Sequence, residues 1–525
     1  MERRRKHWGW GYEDEALGDE ELRGAVAFLR GRLGFGLAEP EQPVPLAELS
    51  LPSPRLEPPA SLQPICSSDT YERAWHAYGR SYRDVIRAFR GQFEHPPDVV
   101  ARPRDEREVE AVLEWAETSG AAVIPFGGGT SVVAGVEPEV PERYAGVVTL
   151  DLARLDRVLE VDPVSQAARI QAGVFGPSLE EQLGRHGMTL RHYPQSFEFS
   201  TLGGWIATRS GGHFATLYTH IDDLVESVRA VTPRGTWESR RLPGSGAGVS
   251  PDRLLIGSEG ILGVITEAWM RVRPRPCQRA SAAVQFPDFL TGAQAVRALS
   301  QAGLYPTNCR LIDPDEAKVT GAGDGSAALL VLGFEAAEHD VEPWMRLALQ
   351  CCGDHGGSWE RRGGGGAVGN WREAFLRAPY LRDTFVAMGV LSETFETAIT
   401  WERFEEFHRA VLEATRAAVE EVCGQGSVSC RFTHVYPDGP APYYTILAPA
   451  RRGGELEQWA AIKRAAADAV IAAGGTITHH HAVGRDHRPW YDRQRPEPFA
   501  QALTAAKAAV DPAATLNPGV LIDPS

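Results

Sequence analysis

The segment AAVIPFGGGTSVVAGVEP, from Ala121 to Pro138, decides the fold class of the N-terminal half of the chain. Its apolar residues 122–126 predict a buried strand, which runs into three consecutive glycines and then Thr130 and Ser131. No side chain shields the amides of such a loop, so it can bind an anion such as a phosphate. The spacing matches neither a Walker loop nor G-x-G-x-x-G. Taken alone, three glycines could also mark a tight turn without a ligand.

Length and composition place the chain among ordinary globular proteins. Its 525 residues allow two or more domains, and a formal charge of −15 argues against a nucleic-acid partner. No apolar run is long enough to span a membrane, and no apolar segment follows the basic N-terminus as in a secretory signal. Seven cysteines without a C-x-x-C pair fit a reducing compartment and predict no structural zinc. The expected location is therefore the cytoplasm.

The order of patterns predicts four regions. Residues 1–94 form a helical and irregular N-terminal region, and residues 95–276 follow a strand–helix–strand pattern typical of an α+β domain. Residues 277–485 repeat a strand–helix unit, which predicts a mixed α/β domain with a partly antiparallel sheet. Within it, RRGGGGAVGNW (361–371) predicts a loop. Residues 486–525 are expected to return to the first domain.

Glycine and hydroxyl residues recur downstream of the first loop, in residues 194–212, 231–235 and 256–268. Several loops with bare backbone and hydroxyl groups predict one long ligand lying across them, and a dinucleotide is the natural candidate. Their order and spacing resemble the FAD-binding domain of the vanillyl-alcohol oxidase superfamily. The resemblance implies an α+β fold, with a two-part FAD-binding domain of the PCMH type and a mixed α/β cap domain for the substrate.

The resemblance also implies which residues bind FAD. They are Pro125, Phe126, Gly127, Gly128, Gly129, Thr130 and Ser131; Gln195, Ser196, Phe197, Glu198, Phe199, Ser200 and Thr201; Thr208, Arg209, Ser210 and Gly211; and Glu259, Gly260, Ile261, Leu262, Gly263, Val264 and Ile265. Members that attach FAD covalently often carry a histidine directly after the glycines. Thr130 stands at that position here, so non-covalent FAD is expected.

A second constellation lies near the C-terminus, where GGTITHHHAVG includes His479, His480 and His481. The preceding TIT has strand character, so alternation predicts His479 and His481 on one face and His480 on the other. Adjacent strand residues cannot converge on one metal ion, and no cysteine or carboxylate lies nearby in sequence, so no metal is expected. Because imidazole titrates near neutral pH, a proton-handling or anion-binding role is favoured.

The triplet resembles one branch of the superfamily, the alkyldihydroxyacetonephosphate synthase (alkylglycerone-phosphate synthase) family. The opening WGWGY (8–12) and the segments CRLIDPDEA (309–317) and PYLRDTFVAMGVLSETFETAITW (379–401) resemble it as well. The resemblance implies catalytic roles for Arg310 and the three histidines, and substrate binding by Arg382. It places the catalytic tyrosine at Tyr443, with Tyr444 as the alternative, because neighbouring strand residues face opposite ways.

Each arginine also has a simpler interpretation, as an ion-pair partner of a nearby aspartate: Arg310 with Asp313 and Arg382 with Asp383. A phosphate-bearing substrate would explain both arginines, since a guanidinium binds phosphate in a bidentate fork.

The resemblance implies a flavin reaction without net redox change. Acyl-dihydroxyacetone phosphate would lose its acyl group, and a fatty alcohol would take its place through a covalent flavin adduct, with Tyr443 as general base. A homodimer in peripheral contact with the inner face of a membrane is expected. The alternative is an FAD-dependent dehydrogenase or oxidase of 2-hydroxy acids. The C-terminal segment DPAATLNPGVL (511–521) of this chain resembles the ending of those enzymes more closely than the ending of the synthases.

Overall fold

The computed structural model describes residues 3–218, 220–359 and 380–523. The predicted loop 361–371 lies outside the described residues. The helices are α1 (Asp19–Leu33), α2 (Thr70–Trp75), α3 (Tyr82–Phe89), α4 (Glu106–Ser119), α5 (Gly176–Gly184), α6 (Leu202–Thr208), α7 (Ala215–Tyr218), α8 (Ile221–Leu224), α9 (Pro251–Leu255), α10 (Phe289–Gln301), α11 (Pro314–Thr320), α12 (Glu342–Asp354), α13 (described over 380–387), α14 (Trp401–Cys423), α15 (Glu455–Ala472), α16 (Arg488–Gln494) and α17 (Glu497–Val510).

The strands are β1 (Cys66–Ser67), β2 (Val99–Ala101), β3 (Ala122–Phe126), β4 (Val147–Asp151), β5 (Val158–Asp162), β6 (Ala167–Gln171), β7 (Met188–Thr189), β8 (Val225–Thr232), β9 (Gly235–Glu238), β10 (Val264–Arg271), β11 (Arg273–Pro274), β12 (Gln278–Phe286), β13 (Asn308–Ile312), β14 (Ala328–Ala336), β15 (Ser358–Trp359), β16 (Val390–Glu396), β17 (Ser427–Val435) and β18 (Pro440–Pro449).

The first sheet is small and has the order β1-β2-β4-β3, with β2, β4 and β3 parallel. Helix α4 connects β2 to β3 as the sequence predicts. Its N-cap Asp105 accepts the Glu108 amide, and Gly120 ends it in the left-handed conformation. The apolar side of α4 packs on this sheet. Strand β3 therefore delivers the glycine loop at its carboxyl end.

The second sheet is antiparallel, in the order β5-β6-β10-β8-β9, and α5 and α6 bury their apolar residues against it. Helix α6 starts at Leu202. The segment before it, residues 195–201, lies outside regular helices and strands and runs beside the glycine loop. The two sheets together form the first lobe of the molecule.

The cap domain is one seven-stranded sheet, β15-β12-β14-β13-β17-β18-β16, in which every pair is antiparallel. The sequence predicted a mixed domain with a partly antiparallel sheet. The connections carry helices, but each strand pairs antiparallel with its neighbours. Helices α10, α12, α14 and α15 cover one face of this sheet and share its apolar core. The opposite face of β13, β16, β17 and β18 is left to line a cavity.

The C-terminal tail returns to the first lobe. Leu516 forms a parallel bridge with Val123, and the Asn517 amide donates to the Val123 carbonyl. The Asn517 side chain donates to the carbonyls of Gly135 and Glu259, which ties the tail to the segments around the glycine loop. None of the described helices is long and apolar enough to cross a membrane.

Candidate active site

A cavity of about 500 Å³ lies between the first lobe and the open face of the cap sheet. The glycine loop forms one wall, and strands β13, β16, β17 and β18 contribute the opposite wall. Helices α1, α11 and α13 line a further part of it. Segments more than 300 residues apart in sequence therefore share one binding volume.

Protein packing requires glycine in the loop. A Cβ atom on Gly127 would lie 2.2 Å from the Thr201 hydroxyl, and one on Gly128 would lie 1.8 Å from the Phe199 carbonyl oxygen. Gly129 has φ +66°, and its Cβ would meet the Phe126 ring at 2.5 Å. Bare glycines thus let the loop contact residues 199–201 directly. The sequence offered the approach of a ligand or a tight turn as explanations, and neither included this contact with residues 199–201.

The same loop retains the features of an anion site. Within the described part of the chain, the amides of residues 128–132 donate to no protein acceptor. The Thr201 hydroxyl beside them is buried without a hydrogen-bond partner among the described atoms. Orphaned donors around a cavity are the pattern expected of a site for a phosphate-bearing ligand. The residues present therefore fit the diphosphate of FAD.

The structure brings twelve of the predicted FAD residues to the cavity: Gly127, Gly128, Gly129, Thr130, Ser131, Gln195, Ser196, Ser200, Thr201, Thr208, Ser210 and Gly211. The others do not line it: Pro125, Phe126, Phe197, Glu198, Phe199, Arg209, Glu259, Gly260, Ile261, Leu262, Gly263, Val264 and Ile265. Several of these have clear packing roles instead. Arg209 pairs with Asp222, Glu198 accepts the Tyr380 hydroxyl, and the Glu259 carboxylate accepts two backbone amides.

Non-covalent attachment of FAD is testable by denaturation. Because Thr130 occupies the position that follows the glycines, acid precipitation of the purified protein should release all the yellow flavin into the supernatant. A flavin band that stays with the polypeptide on a denaturing gel would contradict the prediction.

Strand alternation in the cap sheet decides between the two tyrosines. Tyr443, Thr445 and Leu447 of β18 line the cavity. Tyr444 is fully buried on the opposite face, where its hydroxyl lies 3.0 Å from His408 Nδ1. Tyr443 therefore faces the site, and Tyr444 belongs to the core beneath the helices.

The cavity face also carries the two predicted arginines. Arg310 of β13 is 2% exposed, and burial, with a smaller effect of the nearby Arg431 guanidinium, lowers its pKa to about 9. Arg382 of α13 is half-buried and donates to the Arg80 carbonyl at 3.0 Å. An anionic ligand between them would stabilise both charges.

The simpler ion-pair interpretation does not match the contacts. Asp383 binds Lys6 Nζ at 2.9 Å and the Trp10 amide at 3.0 Å, so it tethers the N-terminal WGWGY segment rather than Arg382. Asp313 caps α11 and accepts the Cys430 amide. No ion pair joins either aspartate to Arg310 or Arg382 in the described structure.

The histidine triplet is not on a strand, and this prediction is wrong. Residues 475–487 form an irregular loop that wraps the buried carboxylate of Glu396. Glu396 accepts the amides of His479, His480 and His481 at 2.8–3.2 Å, together with the Thr478 hydroxyl. Capping of a carboxylate by successive amides overrides the strand tendency of the sequence. His480 and His481 line the cavity, whereas His479 does not.

The charges in this loop are set by burial and by Glu396. Burial alone would raise the pKa of Glu396, but the adjacent His480 and His481 outweigh it and hold that pKa well below its usual range. Burial lowers the pKa of His479 to about 3. A proton-handling or anion-binding role for the triplet stays a prediction.

A fourth imidazole, His434 of β17, completes the cluster, and sequence analysis missed it. One ring nitrogen each of His434, His479 and His480 lies within 4.8 Å of the others, and Glu396 lies 3.2 Å from His480 Nδ1. Adjacent histidines of the triplet, His479 and His480, can therefore converge on one point, contrary to the prediction. The nitrogens have protein partners, however: His434 Nε2 contacts the Gly212 carbonyl, and His479 lies between Tyr436 and His480. Absence of a metal stays a prediction.

Other contributors were also missed. Arg431, Thr433 and Glu316 line the cavity from β17 and α11, and Trp10 lines it from the N-terminal segment. The alternation of Arg431 and Thr433 in SCRFTHV was a usable signal. Residues 436–439, the short turn between β17 and β18, were a further signal, because they predict that the two strands pair as a hairpin.

Comparisons with known proteins agree with this geometry. Residues 97–239 match the family "FAD binding domain", and residues 275–521 match "FAD linked oxidases, C-terminal domain". The chain is 31% identical to alkyldihydroxyacetonephosphate synthase of Trypanosoma brucei brucei, over 89% of this chain and 82% of that protein. It is 32% identical to the Caenorhabditis elegans synthase, over 87% and 81% of the two chains. Glycolate oxidase subunit GlcD of Bacillus subtilis is 26% identical, over 82% and 89%.

Solved structures give the same result. A structure of alkyldihydroxyacetonephosphate synthase superposes with a TM-score of 0.84 at 26% identity, covering 98% of both chains. p-Cresol methylhydroxylase superposes with a TM-score of 0.69 at 14% identity, over 97% of this chain and 98% of the other, which supports the fold alone. The predicted fold class and the FAD cofactor are confirmed. The chain belongs to the alkyldihydroxyacetonephosphate synthase family, with FAD as its cofactor and a two-part FAD-binding domain joined to a cap domain.

Proposed function

We propose that this chain exchanges the acyl group of acyl-dihydroxyacetone phosphate for a fatty alcohol and so forms the ether bond of an ether lipid. One observation carries the proposal: the glycine loop, two arginines, a tyrosine, two histidines and a group of apolar side chains line the same cavity. This combination suits a substrate with a phosphate at one end and a long chain at the other. Bound FAD supplies the covalent and electron-accepting chemistry at the reacting carbon.

Arg382 is the proposed ligand of the substrate phosphate. Its guanidinium is oriented by the Arg80 carbonyl and has no carboxylate partner among the described residues, so its remaining N–H groups can bind an anion. Arg310 adds a second positive charge from the cap sheet. A guanidinium binds phosphate through paired hydrogen bonds, which would fix the position of the head group.

Tyr443 is the proposed general base. Its ring lies between Arg431 on one side and the imidazoles of His480 and His481 on the other, with centroid distances of 6.3 Å and 5.5 Å to the two histidines. Tyr443 would take the proton from the carbon that bears the ester. His480 and His481 would contact the reacting groups from the loop that Glu396 holds.

The rest of the cavity is suited to an alkyl chain. Ala25, Phe28 and Leu29 of α1, Val319 of α11, Leu381 and Phe385 of α13 and Leu447 of β18 line it. Phe28 is 62% exposed, and the Arg32 guanidinium lies 5.2 Å from its ring centroid. An apolar opening with a basic residue at its edge supports the expected contact with a membrane surface. The expected homodimer remains a prediction.

The rival function, oxidation of a 2-hydroxy acid, drew its support from the C-terminal ending. That tail pairs with β3 and contacts the glycine-loop region, not the tyrosine or the histidines. The sequence of this tail is therefore explained by packing within the FAD-binding domain, and it does not favour either substrate.

One experiment separates the two functions. The purified yellow protein is mixed anaerobically with acyl-dihydroxyacetone phosphate and a long-chain alcohol, and separately with a panel of 2-hydroxy acids. We expect alkyl product and released fatty acid without lasting loss of the flavin absorbance. Bleaching by a hydroxy acid, with no alkyl product, would replace the proposal with the rival.

Arg382→Ala should weaken binding of the phosphate substrate while FAD stays bound. Loss of charge-assisted hydrogen bonds predicts a KM for acyl-dihydroxyacetone phosphate about 10–100-fold higher. Arg409→Ala, on the exposed face of α14, is the matched control and should leave KM unchanged. An unaltered KM in Arg382→Ala would remove Arg382 from the substrate site.

A further inference from the structure

We propose that Arg431 is a positioning residue for Tyr443, held in place by Glu316 and Ser429. This inference rests on the proposed role of Tyr443 as the general base. The resemblance assigned no role to Arg431, and the structure places it beside Tyr443 because β17 and β18 pair.

The sheet places the two residues as direct cross-strand neighbours. Arg431 of β17 pairs with Tyr443 of β18, and Glu396 of β16 pairs with Tyr443 from the other side. The Arg431 guanidinium lies over the face of the Tyr443 ring, 3.9 Å from its centroid. A cation at that distance attracts the π-face of an aromatic ring, and attracts it more strongly in a desolvated site.

Arg431 itself is anchored from behind. Its Nη1 donates to the Glu316 carboxylate of α11, and the other oxygen of that carboxylate accepts the Ser429 hydroxyl at 2.6 Å. Burial disfavours the charge on Arg431, but Glu316 and the facing Tyr443 outweigh it, so the pKa of Arg431 lies above its usual value. The guanidinium is therefore a fixed charge that cannot swing away from the ring.

This arrangement has a consequence for a base at position 443. The flat guanidinium restricts the tilt of the ring and so fixes where the hydroxyl points, and proton transfer from a substrate carbon depends on that direction.

The test compares Arg431→Met, Arg431→Lys and Glu316→Gln with the wild-type holoenzyme. We expect Arg431→Met to lower kcat about 30-fold and to leave KM for the phosphate substrate within about threefold. Arg431→Lys, which keeps the charge, should recover part of the lost kcat, and the kcat of Glu316→Gln should lie between those of wild type and Arg431→Met. A rise in KM with an unchanged kcat would make Arg431 a substrate ligand and overturn the proposal.

A second measurement does not depend on turnover. With 3-fluorotyrosine incorporated, the ¹⁹F resonance that is missing in Tyr443→Phe is assigned to position 443 and reports the environment and order of that ring. Its chemical shift and linewidth should change in Arg431→Met and change less in Arg431→Lys. A resonance identical to wild type in both variants would refute the positioning role, even if the proposed reaction stands. If wild type makes no alkyl product but the resonance changes in Arg431→Met, only the proposed function fails.

Discussion

Tyr443→Phe is expected to lower kcat for the exchange reaction by about 10³-fold, the largest single effect on activity in this chain. The phenyl ring keeps its place between Arg431 and the histidine loop, so only the hydroxyl that accepts the proton is lost. KM should change little, and the FAD content of the purified variant should equal that of wild type. The measurement is steady-state formation of alkyl product, with flavin absorbance as the check on cofactor loading.

Tyr444→Phe is the matched control for that variant. It removes one hydroxyl from the neighbouring residue, which points into the core and contacts His408. We expect a loss of about 1 kcal/mol of stability and an unchanged kcat. If Tyr444→Phe were the inactive variant and Tyr443→Phe the active one, the assignment of the base would be reversed.

Glu396→Ala is expected to have the largest effect on stability. The carboxylate accepts three consecutive backbone amides and the Thr478 hydroxyl, and it lies 3.2 Å from His480 Nδ1. Its removal leaves these donors buried without an acceptor, at a cost of about 3–5 kcal/mol. The thermal midpoint should fall, and kcat should drop by about 10²-fold because His480 and His481 are no longer held in place. Glu421→Gln, on the exposed side of α14, should change neither.

The Glu396 effect has a defined pH dependence. Folding holds the pKa of this carboxyl well below its usual value of 4.5. Its stabilisation is therefore present above about pH 4.5 and is lost as the pH falls through the folded-state pKa. The difference in thermal midpoint between wild type and Glu396→Ala should be full at pH 7 and should narrow below pH 4. If the difference in thermal midpoint were the same at pH 7 and below pH 4, the contribution of Glu396 to stability would not depend on its charge.

The conformation of the histidine loop could not be predicted from the local sequence. Residues 476–481 were predicted to be a strand because the local sequence pattern was the only evidence for their structure. Glu396 lies more than 80 positions earlier in the chain, on β16, and its carboxylate collects the amides of the triplet. A buried charge needs several hydrogen bonds, and this long-range requirement outweighed the local propensity.

The choice between Tyr443 and Tyr444 was only half determined by the sequence. Alternation showed that one of them must face the site, but the covered face of the sheet had to be known to say which. Helices α10, α12, α14 and α15 cover the face that carries Tyr444, so Tyr443 is left to the cavity.

The sequence by itself predicted the α+β class and the glycine loop. Through its resemblance to a family it also predicted FAD and the candidate residues Arg310, Arg382 and one of Tyr443 and Tyr444. These predictions follow from local motifs and their order along the chain. Only the tertiary structure decided that the glycines serve protein packing as well as anion binding. It also decided that His434, Glu396 and Arg431 complete the site. The physical reason is that burial, cross-strand pairing and the neutralisation of buried charge depend on residues that lie far apart in sequence.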